Sequence, residues 1–371
     1  MQTDTIRFGN ASVFRTRHLR DKIIHHVEWL PNGRDLLLAF LAHGDDDGGL
    51  FTPLPAERFA VRQACESSRA SDGRDHDLAK RIIARGQRVY AFSPDGRQAA
   101  APRLIHPRGS STECVIDLIG PDGRAKSFKT SDVYAYPDDL EYASSGRYLF
   151  HDSIYTTQVR DTGGRLVAAM EHLGENFGFA FDEKGGAIYS PLVTCSNTEE
   201  RLLRQGRRPG TIERFRIEKG KTYPTPVVWA EQPKAMSARL HPGGAWLAAY
   251  GAGEIRCWSV PDGEALGSVR LRKGSLRPES YGAEYVSMDF NASGDLLAVS
   301  DGYKAVVLRA FGSGGLETLG VIDLGISGGG TRIRTRFSRT ADAFFVLNSC
   351  GIHGASVTAV DLSPVTKSFR R

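Results

Sequence analysis

Cysteine is scarce, at five residues in 371 (Cys65, Cys114, Cys195, Cys257, Cys350), odd in number, far apart and without a C-x-x-C pair. That argues against a disulfide framework or a cysteine-built zinc site and suits a reducing compartment. Long apolar runs are also missing. No stretch approaches the ~20 residues a membrane-spanning helix needs, and Met1–Phe8 has no charged-then-apolar leader. A soluble, cytoplasmic protein is expected. Neither H-E-x-x-H nor G-x-S-x-G occurs, and serine, histidine and aspartate show no spacing that aligns them as a triad. No sign of charge dominates either. The formal net charge is +5, and acidic residues are interleaved nearly everywhere, so a domain-wide basic field is excluded.

What the chain has is glycine, 41 residues of it, and a recurrence built on turns. A bulky residue is followed four positions later by a turn residue, then by a short apolar run. The copies are Trp29…Gly33…Leu36, Phe92…Gly96…Ala99, Tyr142…Gly146…Leu149, Phe181…Gly185…Ile188, Leu240…Gly244…Leu247, Phe290…Gly294…Leu297 and Phe337…Ala341…Phe344. In Phe92-Ser-Pro-Asp-Gly96, Pro94 presets φ, Asp95 can bond its own backbone, and Gly96 accepts the positive φ of a tight reversal. After each turn the apolar residues alternate, as in Leu247/Ala249 and Leu297/Val299. The large aromatics share one register, so they are expected to pack between units and not to stack bases.

A second hairpin follows each copy. The clearest is Glu254–Val260, the turn Pro261-Asp-Gly263, then Glu264–Leu271. Each unit therefore counts four strands at a mean spacing of about fifty residues. Such a unit cannot bury both faces alone and needs neighbours of its own kind. At these residues the chain resembles the WD40 and related bacterial β-propeller families. Trp258-Ser259 stands where a WD dipeptide would, and the Gly-His signature is not evident. The resemblance implies an all-β fold: one domain over 1–371, a seven-bladed propeller of four-stranded antiparallel blades with short helical insertions. Ser356–Leu362 is expected as the outer strand of the last blade and Ser12–Arg17 as the inner strand of the first. Thr5–Phe8 is expected to pair with C-terminal chain.

The rhythm breaks at 42–49, 66–88 and 194–210. A short helix is expected at Asp75–Ala84. Another begins at Ser196/Asn197 and stops at Gly206. Three basic segments stand out: Arg201–Arg208, Arg270–Arg277 and Arg332–Arg336. Arginine grips carboxylates and phosphates through paired hydrogen bonds, so Arg201, Arg204, Arg207, Arg208, Arg332, Arg334 and Arg336 are the candidate partner-binding residues. The competing reading of Arg332-Ile-Arg-Thr-Arg336 is a sheet face whose arginines pair with carboxylates on adjoining strands.

Other motifs read as structural. Asp45-Asp-Asp-Gly-Gly49 lacks calcium-loop spacing, and Ser327-Gly-Gly-Gly330 lacks the Lys-Ser/Thr of a phosphate loop. His25 and His26 point to opposite faces of a strand and cannot share one metal without a bulge. No catalytic residue, metal or cofactor is expected. By resemblance, the leading expectation is a non-catalytic scaffold that presents a rigid propeller disc to partner proteins or peptides, alone or as a subunit of a larger complex. The alternatives are a propeller hydrolase or lactonase, and nucleic-acid or anionic-polymer binding through the arginine-rich segments.

Overall fold

The computed structural model describes residues 12–15, 22–30, 33–42, 52–60, 91–105, 113–130, 139–152, 156–171, 178–192, 203–218, 222–276, 286–324, 332–349, 355–363 and 365–366. The expected helix at Asp75–Ala84, the helix start at Ser196/Asn197, the strand Thr5–Phe8, Asp45–Gly49 and Ser327–Gly330 fall outside them.

Among the described residues twenty-seven strands follow one another. After β1 (Ser12–Arg15) come β2 (Lys22–Trp29), β3 (Asp35–Ala42) and β4 (Thr52–Ala60). The Phe92 blade is β5 (Ala91–Phe92), β6 (Ala99–Ile105), β7 (Glu113–Ile119) and β8 (Ala125–Lys129). The Tyr142 blade is β9 (Asp139–Tyr142), β10 (Tyr148–Asp152), β11 (Thr156–Asp161) and β12 (Leu166–Glu171). The Phe181 blade is β13 (Ala180–Asp182), β14 (Ala187–Pro191), β15 (Thr211–Arg216) and β16 (Pro226–Glu231). The Leu240 blade is β17 (Ala235–Leu240), β18 (Trp246–Gly251), β19 (Glu254–Ser259) and β20 (Ala265–Arg270). The Phe290 blade is β21 (Ser287–Phe290), β22 (Leu296–Ser300), β23 (Lys304–Ala310) and β24 (Leu316–Asp323). The Phe337 blade is β25 (Arg332–Phe337), β26 (Ala343–Ser349) and β27 (Ala355–Asp361), with β1 added outside.

The architecture is all-β and of β-propeller type, built from antiparallel four-stranded blades that run as simple meanders except for the Phe337 blade, whose outer strand is β1. Among the described residues there are six such blades, not the seven expected. The Trp29 copy makes a three-stranded sheet, β2-β3-β4. β1 decides which sheet is the short one. Ser12–Arg15 was expected to open the first blade; instead it pairs with β27, from Ser12↔Asp361 to Arg15↔Thr358. Ser356–Leu362 is accordingly the third strand of the last blade and not its outer one. An open strand edge accepts whichever chain reaches it in register, and the turn pattern carries no information about that choice.

The chain groups into two compact units. One comprises Leu19–His172 and Glu218–Pro224, and holds the Trp29 sheet with the Phe92 and Tyr142 blades. In it, Leu30 and Leu37 pack on Phe92, Ala99 and Ala101, while Ala100 and Ile116 turn the other way onto Leu140, Tyr142 and Leu149. The other comprises Met1–His18, Leu173–Ile217 and Thr225–Arg371, and holds the remaining four blades. There Leu247 and Ala249 face Ala180, Ala187 and Tyr189, whereas Trp246, Ala248 and Tyr250 face Met288, Phe290 and Leu297. Leu296, Ala298 and Val307 then meet Ile333, Phe337 and Phe344.

β18 and β22 are buried along their whole length. Both faces of each second strand are covered by a blade, which is why these runs are nearly continuous in apolar residues. Alanines at 99–101, 248–249 and 298 keep the blades close. Of the anchors, Trp29, Phe92, Tyr142, Phe290 and Phe337 are buried, while Phe181 and Leu240 are half-buried.

Turn chemistry follows the expectation in five copies, where Gly33, Gly96, Gly146, Gly244 and Gly294 take positive φ. In the fourth copy the positive φ falls on Gly186, because the Asp182 carboxylate accepts the Gly185 N–H at 2.9 Å and moves the reversal one residue on. In the seventh, Ser338 Oγ accepts the N–H groups of Thr340 and Ala341 and replaces the glycine device.

Candidate partner-binding surface

The stretch Leu203–Gly210 leads into β15 of the Phe181 blade. Leu203 and Arg204 are helical, and the helix ends at Gly206, whose N–H reaches the Leu203 carbonyl at 3.0 Å with φ +74°. That is the stop the sequence marks. Arg207 turns inward. Its guanidinium donates through Nε (2.9 Å) and Nη2 to the two carboxylate oxygens of Glu213 on β15, and the pair is 13% and 3% exposed. The Thr211 hydroxyl donates to the Arg208 carbonyl at 2.8 Å, and the Gln232 N–H donates to Gly210 O at 2.9 Å. The loop is thereby tied to its blade at three points, with Leu203, Arg204, Gln205 and Arg208 outward.

The candidate arginines thus separate. Arg204 and Arg208 are exposed on one loop, and Arg207 holds that loop in place. Arg201 lies outside the described residues. Arg334 and Arg336 are buried in β25, the first strand of the Phe337 blade, and Arg336 donates to Thr335 O at 3.1 Å. Arg332 precedes them on the same strand. The structure does not bring Arg334 and Arg336 together with the loop.

Other first strands carry polar side chains that reach the next blade. Arg239 on β17 donates to Phe179 O and to Met288 O at 3.0 Å, and lies 3.6 Å from Asp289 on β21. Asp289 in turn accepts the Phe337 N–H at 2.8 Å, and Ser287 Oγ accepts the Thr335 N–H at 2.9 Å. Each first strand has an edge of backbone groups, and these side chains close it. An arginine beside a carboxylate on an adjoining strand is found at Arg239–Asp289. Both stand one residue before their anchors, a spacing the sequence contains.

The blade turns dock in a row as well. The Tyr142 hydroxyl donates to Gln98 Oε1 at 2.9 Å, and Asn291 Nδ2 reaches Asp342 Oδ1 at 3.1 Å. His241 Nδ1 accepts the Gly243 N–H at 3.0 Å, and Nε2 stands 3.2 Å from Gly294 O. The imidazole is stacked on Trp246 with ring centroids 4.7 Å apart. Burial depresses its pKa from the ordinary histidine value, against a smaller upward contribution from Gly294 O. The two contacts assign the neutral, Nε2–H tautomer.

At the outer rim, a side chain from a blade's last strand sits under the outer-turn glycine of the next blade. Phe128 lies beneath Gly164, Trp229 beneath Gly263 and Leu266 beneath Gly314. The Trp229 indole donates to Pro261 O at 2.9 Å, and the Arg160 guanidinium covers the Phe128 ring at 4.7 Å. The Tyr142 blade is closed differently: the Ala169 N–H on β12 donates to Thr222 O at 2.6 Å, from the connection between β15 and β16.

Reactive groups are otherwise sparse. Cys114 and Cys257 are free, buried thiols, pushed up to about 11 and about 12 by burial, so neither is a ready thiolate. Among the described residues no three His, Cys, Asp or Glu side chains cluster as metal ligands, and no helix is long and apolar enough to cross a membrane. The register of β2 against β3 does shift between Ile24 and His26, so the strand is irregular at His25.

No protein-family model and no curated protein matches the sequence. Solved structures are similar. A chain of the crystal structure of the Mitotic Checkpoint Complex superposes with a TM-score of 0.47 at 10% identity, covering 74% of this chain and 79% of that one. Kluyvelomyces marxianus Hsv2 gives 0.46 at 12%, covering 89% and 90%. KlHsv2 with loop 6CD replaced by a Gly-Ser linker gives 0.46 at 12%, covering 88% and 90%.

Proposed function

We propose that this chain is a non-catalytic, cytoplasmic protein-interaction scaffold, a single propeller domain that presents loops of its blades to a partner protein. The observation that carries the reading is the pinned loop Leu203–Gly210. The buried Arg207–Glu213 pair and the Thr211 and Gln232 hydrogen bonds hold an exposed leucine and two exposed arginines in fixed positions. A surface ordered before binding loses less conformational entropy when a partner arrives. Arg204 and Arg208 suit carboxylates on that partner. Burial of Arg334 and Arg336 leaves fewer outward cations for a phosphate backbone, so nucleic acid is the less favoured partner.

The test is affinity capture from the native host with the wild-type chain and with Arg204→Glu/Arg208→Glu. The expected outcome is one protein retained by the first and lost by the second, in a salt-sensitive manner. Capture of the same protein by both would remove the loop from the interface. Capture of none would sink the scaffold reading.

A further inference from the structure

Outer strands of the blades end in unpaired backbone edges unless something covers them. At β12 the chain covers its own edge, through Ala169 N–H and Thr222 O. At β20 it does not. Ala265, Leu266, Gly267, Ser268 and Arg270 are all exposed, and among the described residues no hydrogen bond reaches the side of this strand away from β19. A strand edge of this kind is a template for another extended chain.

The two ends of β20 differ in chemistry. At one end Leu266 (42% exposed) lies against Gly314, whose N–H is bonded to the Phe311 carbonyl at 2.9 Å, and Phe311 is itself 40% exposed. Leu266 and Phe311 are thus large exposed apolar side chains on consecutive blades, lying against Gly314 and Gly315, with the Arg309 guanidinium 5.3 Å from the Phe311 ring, and Gly267, Gly312 and Ser313 are exposed beside them. At the other end Arg270 is followed by exposed Arg272 and Lys273. Glu254 is turned to Arg256 at 2.9 Å and also faces Ser268 and Arg270. Arg272 and Lys273 have no ion pair among the described residues; Lys304, whose Nζ donates to Gly274 O at 2.7 Å, adds a cation at this end opposite its cross-strand neighbour Asp323, while the exposed Glu264 and Glu317 belong to the Leu266–Phe311 end.

We propose that the edge of β20 receives an extended segment of a protein partner, apolar where it meets Leu266 and Phe311 and acidic where it meets Arg272 and Lys273. Backbone hydrogen bonds to β20 give this segment its hold, and the two ends fix its direction. The inference rests on the scaffold reading but uses a different blade from the loop at Leu203–Gly210.

Two labelled peptides test it by fluorescence anisotropy: Glu-Asp-Glu-Val-Thr-Val and the same residues in reverse order. One direction should bind the wild-type protein. Leu266→Glu should weaken it about tenfold or more, Leu266→Val should retain it, and Arg272→Glu/Lys273→Glu should weaken it and flatten its salt dependence. Thermal unfolding checks each variant; if Leu266→Glu melts early, Leu266→Thr takes its place. Failure of both peptides to bind at millimolar concentration overturns the proposal, as does equal binding by wild type and Leu266→Glu. A wild-type dimer abolished by Leu266→Glu also overturns it, because a second copy then occupies the edge. If the peptides fail while a partner is still captured through Arg204 and Arg208, only the β20 surface falls.

Discussion

The imidazole of His241 occupies the space that a side chain at Gly294 would need, with Nε2 3.2 Å from the Gly294 carbonyl oxygen. One blade's turn is thus fitted to a glycine in the next blade's turn.

Gly294→Ala should therefore cost more than Gly244→Ala. Both residues have φ near +75° (+78° and +75°), so both substitutions incur the left-handed strain of about 1–2 kcal/mol. A Cβ at Gly244 meets nothing within 4 Å, whereas at Gly294 it meets the His241 ring. Urea unfolding of the two variants measures the difference, and equal losses would show that the ring moves aside freely.

The same histidine should impart a pH dependence. Its folded pKa lies below the ordinary value of about 6.5, so between the two the unfolded chain binds more protons than the folded one. This contribution to stability is full above pH ~6.5 and is lost as pH falls through the folded value. The melting temperature should drop on acidification from pH 7 to 5, and His241→Phe should flatten that part of the profile.

At the rim, Gly164→Ala places a methyl group 2.8 Å from the Phe128 ring. In a Phe128→Ala background only the strain of φ +84° remains. The two substitutions should therefore be non-additive, the double variant being more stable than the sum of the single losses predicts. Additive losses would mean the latch holds nothing.

Arg207→Ala should destabilise the protein by about 3–5 kcal/mol, because it leaves the Glu213 carboxylate, 3% exposed, buried without its counter-charge. Arg208→Ala, at an exposed position, should stay within ~0.5 kcal/mol. Thermal unfolding of the pair separates the residue that holds the loop from one that faces outward.

Truncating the anchors should give a graded series. Phe290→Ala and Phe337→Ala remove buried rings and should cost about 3–5 kcal/mol each. Phe181→Ala, at a half-buried position, should cost less. A flat series would remove the anchors from the packing between blades.

Strand, turn and repeat could be read in the sequence because they are local. Four-strand units, positive-φ glycines at 33, 96, 146, 244 and 294, and anchors at the ends of first strands all depend on residues within a few positions of each other. What tertiary structure alone decided was pairing across the chain. Ser12–Arg15 joined β27, so that among the described residues the Trp29 sheet and not the Phe337 blade is three-stranded, since an open edge is filled by whichever segment reaches it. It also divided a single arginine-rich pattern into different roles. Arg207 is held by Glu213, Arg334 and Arg336 are buried, and Arg204 and Arg208 face outward. A charged side chain's role depends on the carboxylate, backbone or water it meets, and no spacing along the chain specifies that neighbour.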